Sequence, residues 1–186
     1  MIILDNTVSL KGGPWNKKTL QQFLKNLSAY MISNTDLNLN ITTQTTIYIY
    51  VSHVSAIQMQ AINFQYRKKD KATNILSFLY EDHSALFVES NHRDNSISAI
   101  ESIEDLGHMH NVNINITGEL LLCPEVFNKE ALAYGITAEQ HYTHLIIHGI
   151  LHLLGYDHEE EHEAVIMEHL EYQYLSFFGY TAEHLD

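Results

Sequence analysis

The run from His148 to His158, His-Gly-Ile-Leu-His-Leu-Leu-Gly-Tyr-Asp-His, constrains this chain more than any other stretch. Side chains four residues apart on an α-helix point the same way, so His148 and His152 present two imidazoles to one point. Gly155 tolerates a positive φ, which suits it to end the helix and turn the chain back. His158 then approaches the pair from another side. Three imidazoles with one open position are a usual arrangement for a catalytic zinc, with ligands at about 2.0–2.1 Å. These residues predict a metal-dependent hydrolase. Zinc is the cation expected first, although nickel and cobalt accept imidazole as well.

A bland reading competes with this one. From residue 141 onward the chain holds histidines at 141, 144, 148, 152, 158, 162, 169 and 184, so a helical pair arises easily by chance. The third histidine, the intervening Gly155 and the packing residues Ile150, Leu151, Leu153 and Leu154 favour the metal site, because all fit one geometry. His141 and His144 lie one to two turns earlier on about the same face. They are left out of the ligand set, as exposed groups or as groups behind the ligands. The spacing His-x3-His-x2-Gly-x2-His is that of the long zinc-protease signature, which carries a glutamate directly after the first histidine as general base. Gly149 stands there instead. The metal frame is kept and the peptidase base is missing, which argues for a different substrate.

The same residues, His148-Gly149-x-Leu151-His152-Leu153-x-Gly155-Tyr156-Asp157-His158, closely resemble the signature of the YbeY family of bacterial metal-dependent endoribonucleases. The block Asn63-x-x-Tyr66-Arg67-x-Lys69-Asp70-x-x-Thr73-Asn74-x-Leu76-Ser77-Phe78 is similar too. So are Gly118-Glu119-Leu120 and the tail Glu163-Ala164-x-x-Met167-Glu168. The resemblance spans most of residues 45–180 in order. The sequence departs from the family pattern at Ala72 (usually proline), Asn74 (an aspartate) and Leu79 (a proline). The resemblance implies a single-strand-specific endoribonuclease acting in 16S rRNA 3′-end maturation and ribosome quality control. It also implies single-stranded RNA and the small ribosomal subunit as partners. His148 would be a catalytic as well as a ligating residue, and Arg67 would hold the scissile or a neighbouring phosphate. A planar guanidinium suits that task because it grips a phosphate with two parallel hydrogen bonds.

Charge pulls the other way. A formal net charge of −13 is awkward for a protein that must bind phosphates. All ten basic residues, however, occur at or before Lys129, and four form the cluster Arg67-Lys68-Lys69-x-Lys71. Such a surface repels RNA in general yet accepts it at one place, weakly and with steep salt dependence. The bland account of Lys68, Lys69 and Lys71 is that cations favour a helix C-terminus and are solvated there. Cys123 is the only cysteine, so no intramolecular disulfide forms and a reducing compartment fits. The N-terminus shows no signal-peptide pattern, and the apolar stretch Leu145–Tyr156 is too short for a membrane span. A cytoplasmic protein is expected.

The expected fold class is α+β: a mixed sheet of about four strands packed against helices, with a zincin-like metal-bearing helix in the core. One domain over residues 1–186 is expected, with a mobile loop at 82–110. Ile2-Ile3-Leu4 reads as an edge strand, and Lys11-Gly12-Gly13-Pro14 as a turn. Asn16 caps a helix whose apolar stripe is Leu20, Phe23, Leu24, Leu27, Tyr30 and Met31. Thr45–Val51 and Thr73–Glu81 are strands, and Val112–Leu122 is a strand buried on both faces. Residues 53–66 form a helix with Ile57, Ala61, Ile62 and Phe64 toward the core. Pro124 opens a helix that Gly135 closes. Thr137-x-x-Gln140 starts the metal-bearing helix as a capping box. The last helix buries Val165, Ile166, Leu170, Tyr174, Leu175, Phe177 and Phe178, with Met167 as core filling rather than a residue beneath the metal.

Asp157 is the nearest carboxylate to the ligands, and a hydrogen bond to a ligating imidazole is as good a role for it as catalysis. Two other functions compete: a zinc peptidase with an unusual general base, and a non-catalytic ribosome-assembly factor with a structural metal. The residues do not choose between water and the RNA 2′-hydroxyl as nucleophile.

Overall fold

The computed structural model describes residues 2–4, 9–33, 45–80 and 114–180; the loop expected at 82–110 lies outside them. Strands β1 (Ile2–Leu4), β2 (Thr45–His53), β3 (Ile75–Tyr80) and β4 (Ile114–Leu122) form a mixed sheet in the order β1-β2-β4-β3. β1 and β4 run parallel to β2, and β3 runs antiparallel to β4. Helices α1 (Lys17–Ser33), α2 (Ala56–Arg67), α3 (Pro124–Tyr134), α4 (Ala138–Leu153) and α5 (Glu161–Phe177) complete the fold. The expected α+β architecture is what forms.

Alternation along the strands sorts the two faces. In register, Ile49 pairs with Gly118 and Val51 with Leu120, so these residues share one face with Ile47, Ile75 and Leu122. That face joins α1, α4 and α5 in the main core, where Leu20, Leu24, Ile146, Leu151, Met167 and Tyr174 are buried. α1 starts as the sequence suggests, with the Asn16 side chain accepting from the Thr19 backbone N–H at 3.0 Å. The other face carries Leu76 and Leu121, which pack with Met59 of α2 and with Cys123. α2 and α4 therefore sit on opposite sides of the sheet.

α4 lies unusually close to the strands beneath it. A Cβ added to Gly149 would stand 2.7 Å from Leu120 Cδ2 and 2.9 Å from Ile75 Cδ1, and one added to Gly118 would stand 2.5 Å from Leu153 Cδ2. Glycine on each partner lets backbone and side chain meet, and this fixes the height of the histidine-bearing helix above the sheet. Thr137 caps α4, its hydroxyl accepting from Gln140 N at 3.0 Å. α3 runs from Pro124 to Tyr134 and ends at Gly135 with φ +69°, as its sequence predicts.

In two helices part of the expected apolar stripe faces outward, while Ile62 of α2 and Leu170, Tyr174 and Leu175 of α5 pack inward as expected. In α2, Ile57 is 81% exposed, Phe64 55% exposed and Ala61 exposed, while Met59 and Asn63 are buried. Asn63 turns inward because its side-chain Nδ2 donates to the Lys71 carbonyl at 2.7 Å, tying down the loop after the helix. In α5, Val165, Ile166 and Phe177 face outward and Met167, Leu170, Glu171, Tyr174 and Leu175 face inward. Among the described residues, no helix is long and apolar enough to cross a membrane.

Candidate metal centre

The last turn of α4 builds the site. Gly155 adopts φ +88°, and beyond it the Tyr156 N–H donates back to the Leu151 carbonyl at 3.1 Å. This is the six-to-one bond of a glycine-terminated helix. The reversal places the Tyr156 carbonyl 2.9 Å from His152 Nδ1. A carbonyl only accepts, so Nδ1 carries the proton and the lone pair of the neutral ring sits on Nε2. Burial first, and then the neighbouring His148 and His158, lower the His152 pKa. The neutral, ligating form is thereby favoured.

His148 is oriented by a residue that pattern reading missed. Its Nδ1 lies 2.6 Å from Glu171 Oε1 on α5. Burial alone would raise the Glu171 carboxyl, but hydrogen bonds from His144 and His148 outweigh it and hold the group at about 2. Glu171 is therefore an acceptor and His148 donates from Nδ1, which turns its Nε2 toward His152; in the neutral ring that Nε2 carries the lone pair. His148 Nε2 and His152 Nε2 face each other at 3.1 Å. Two facing lone pairs call for a cation between them, either a proton in an Nε2–H···Nε2 hydrogen bond or a metal ion held by both rings. Nitrogens bound at about 2.0–2.1 Å to one tetrahedral ion stand about 3.3 Å apart, so the observed spacing fits a shared metal.

His158 completes the group. Its ring centroid is 5.5 Å from that of His148 and 5.1 Å from that of His152. The donor atoms of all three histidines lie within 4.8 Å of one another. The residues present thus fit a divalent cation, by donor type and by separation. Asp157 does not bond a ligating imidazole; its Oδ1 accepts from the His158 backbone N–H at 2.7 Å and shapes the turn.

The two earlier histidines are not exposed. His141 is buried and its Nε2 meets Glu130 Oε2 at 2.9 Å. His144 Nε2 meets Glu171 Oε2 at 3.0 Å. His144 thus shares Glu171 with His148, and donor atoms of these three residues also lie within 4.8 Å of one another, whereas His141 pairs with Glu130 and with none of the three facing histidines. Asn74 Nδ2 donates to the same Glu130 oxygen at 3.0 Å, a bond that an aspartate at this position would replace with repulsion. Arg67 is the final residue of α2 and is exposed. Among the described residues it forms no ion pair or hydrogen bond with the histidine group. The signal that could have revealed Glu171 is an acid set among Met167, Leu170, Tyr174 and Leu175, a stripe where an unpaired carboxylate would be costly.

The family model described as endoribonuclease YbeY matches residues 13–179. The chain belongs to the YbeY family. The endoribonuclease YbeY of Buchnera aphidicola subsp. Acyrthosiphon pisum is 34% identical over 148 residues, covering 80% of this chain and 74% of that protein. The endoribonuclease YbeY of Francisella philomiragia is 36% identical over 138 residues, covering 74% of this chain and 73% of that one. The solution structure of TM1509 from Thermotoga maritima is 20% identical and covers 96% of this chain and 92% of that one. Its TM-score of 0.45 is too low to bear on the fold. In this YbeY-family chain, the sequence from His148 to His158 forms the end of α4 and the turn that brings the three imidazoles together.

Proposed function

We propose that this chain is a metal-dependent endoribonuclease that cuts single-stranded RNA. Its work is 16S rRNA 3′-end maturation and ribosome quality control, with the small ribosomal subunit as partner. Membership of an endoribonuclease family supports the reaction class. The observation that carries the chemistry is the pair of Nε2 atoms 3.1 Å apart, with His158 closing a third side. The group brings three protein donors from a helix and the turn after it, a zincin-like frame, and leaves a tetrahedral ion one further position.

A divalent ion there, zinc first, would polarise a phosphoryl oxygen or supply hydroxide near neutral pH. His148, His152 and His158 hold and orient it, and the α4–sheet contact keeps them from drifting. Arg67 binds an RNA phosphate and offsets charge that grows on it in the transition state. The basic run Arg67-Lys68-Lys69-x-Lys71 offers RNA phosphates a cationic stretch on an otherwise acidic protein. A peptidase is the weaker reading. The position where such enzymes keep their general base is Gly149, where a Cβ would already crowd the Leu120 and Ile75 side chains at 2.7 and 2.9 Å.

The test incubates nuclease-free protein with single-stranded RNA, with and without chelator, beside a His152→Ala protein prepared identically. Cleavage abolished by chelator and by the substitution is expected. Equal cleavage by both proteins would expose a contaminating ribonuclease and refute the proposal. Chelator-sensitive cleavage of casein without cleavage of RNA would favour the peptidase.

A further inference from the structure

Glu171 reaches across from α5 to two histidines of α4 that are one turn apart. It is 5% exposed, and each of its oxygens is occupied. Oε1 accepts a hydrogen bond from His148 Nδ1 at 2.6 Å and Oε2 accepts one from His144 Nε2 at 3.0 Å. Only His148 belongs to the group of three facing imidazoles. The other ring nitrogen of His144, Nδ1, is buried without a partner. Among the described residues, the one polar contact of the His144 ring is therefore with Glu171.

We propose that Glu171 is the positioning residue of the metal centre and that His144 is the clamp that holds it in place. The proposal rests on the metal-site reading above. It has three physical parts. The carboxylate fixes the His148 tautomer and ring rotation, so that Nε2 rather than Nδ1 faces the ion. Its negative charge makes that imidazole a stronger donor, as a carboxylate behind a ligating histidine does. Because His144 occupies Oε2, and Oε1 lies on the far side of the His148 ring from Nε2, Glu171 cannot swing round as a fourth protein donor without breaking both bonds. The clamp thus keeps a position on the ion for substrate.

A different role would be purely structural: a buried acid pairing with two histidines to pin α5 on α4. That role predicts lower stability and nothing else. The experiment titrates the metal-free full-length protein with Co2+ and follows its visible absorption, with a chromophoric chelator in competition. Wild type is compared with Glu171→Gln, Glu171→Ala, His144→Ala and His144→Gln, and each fold is checked by circular dichroism. The Glu171 variants are expected to bind Co2+ about 10–100-fold more weakly, with a changed spectrum. His144→Ala should weaken binding in the same direction, and His144→Gln, which keeps a donor for Oε2, should restore it. Wild-type affinity and spectrum in folded Glu171 variants would overturn the proposal. If those variants do not fold, wild-type affinity and spectrum in His144→Ala would overturn it. A wild-type protein that binds no Co2+ would instead refute the metal-site reading beneath it.

Discussion

Replacing Gly149 by alanine tests whether the close contact between α4 and the sheet is what sets the histidines in place. The new Cβ would stand 2.7 Å from Leu120 Cδ2, 2.9 Å from Ile75 Cδ1 and 3.1 Å from Ser77 Oγ. Ordinary carbon–carbon contacts are about 3.5–4.0 Å, so the Leu120 and Ile75 side-chain ends, or the helix above them, must give by up to about 1 Å. Alanine in a helix interior gains about 1 kcal/mol over glycine. Overpacking a filled core costs about 1–3 kcal/mol. Leu120 is fully buried and Ile75 nearly so, which leaves little room to yield and puts the cost in the upper part of that range. The net loss is then about 1–2 kcal/mol. At about 2–4 °C per kcal/mol for a chain of this size, the midpoint falls by about 2–8 °C. Differential scanning calorimetry of the metal-free protein reads it directly. A Gly149→Ala protein at or above the wild-type midpoint would refute the close-contact argument. Gly149→Glu, which restores the peptidase pattern, should be worse still and gain no peptidase activity, since its carboxylate would be forced into the helix–sheet contact.

Two other outcomes follow from the same structure. Burial alone would raise the Glu130 carboxyl, but its bonds to His141 and Asn74 outweigh that and leave it below its ordinary value of 4.5. A folded-state pKa below the unfolded one stabilises above the unfolded value and ceases to do so as pH falls through the folded value. Glu130→Gln should therefore be less stable than wild type at pH 7, by about 1 kcal/mol, and the gap should narrow in acid. Urea unfolding at both pH values measures it, and a constant gap would contradict the assignment. Arg67→Ala should leave stability within about 0.5 kcal/mol, because the side chain is exposed. It should cut RNA at least about tenfold more slowly, with shallower salt dependence; unchanged cleavage would remove Arg67 from the mechanism.

What the sequence made legible was local. His148, His152, Gly155 and His158 are close in the chain, and helix period plus one glycine turn suffices to bring them together. The caps of α1, α3 and α4 could be read for the same reason. What stayed hidden depends on pairing across the fold. Glu171 is 23 residues from His148, in a helix full of acids, and only the tertiary structure tells it from its solvated neighbours. Its pairing adds to the inward face that Leu170, Tyr174 and Leu175 form in α5. With Glu171 turned inward toward His144 and His148, Val165 and Ile166 are carried outward although their hydrophobicity suggests burial. α2 follows the same logic, since Asn63 goes inward to satisfy the Lys71 carbonyl and takes Ile57 and Phe64 away from the core. A buried polar partnership claims part of the inward face, and the apolar stripe alone carries no sign of it.

X-ray absorption spectroscopy of the zinc-loaded protein, read beside a crystal structure of that form, bears most directly on the account. The expected coordination is three imidazole nitrogens at about 2.0–2.1 Å, from His148, His152 and His158, with non-protein oxygen in the remaining position. Zinc bound elsewhere, or enclosed by Glu171 or another permanent protein donor, would contradict it.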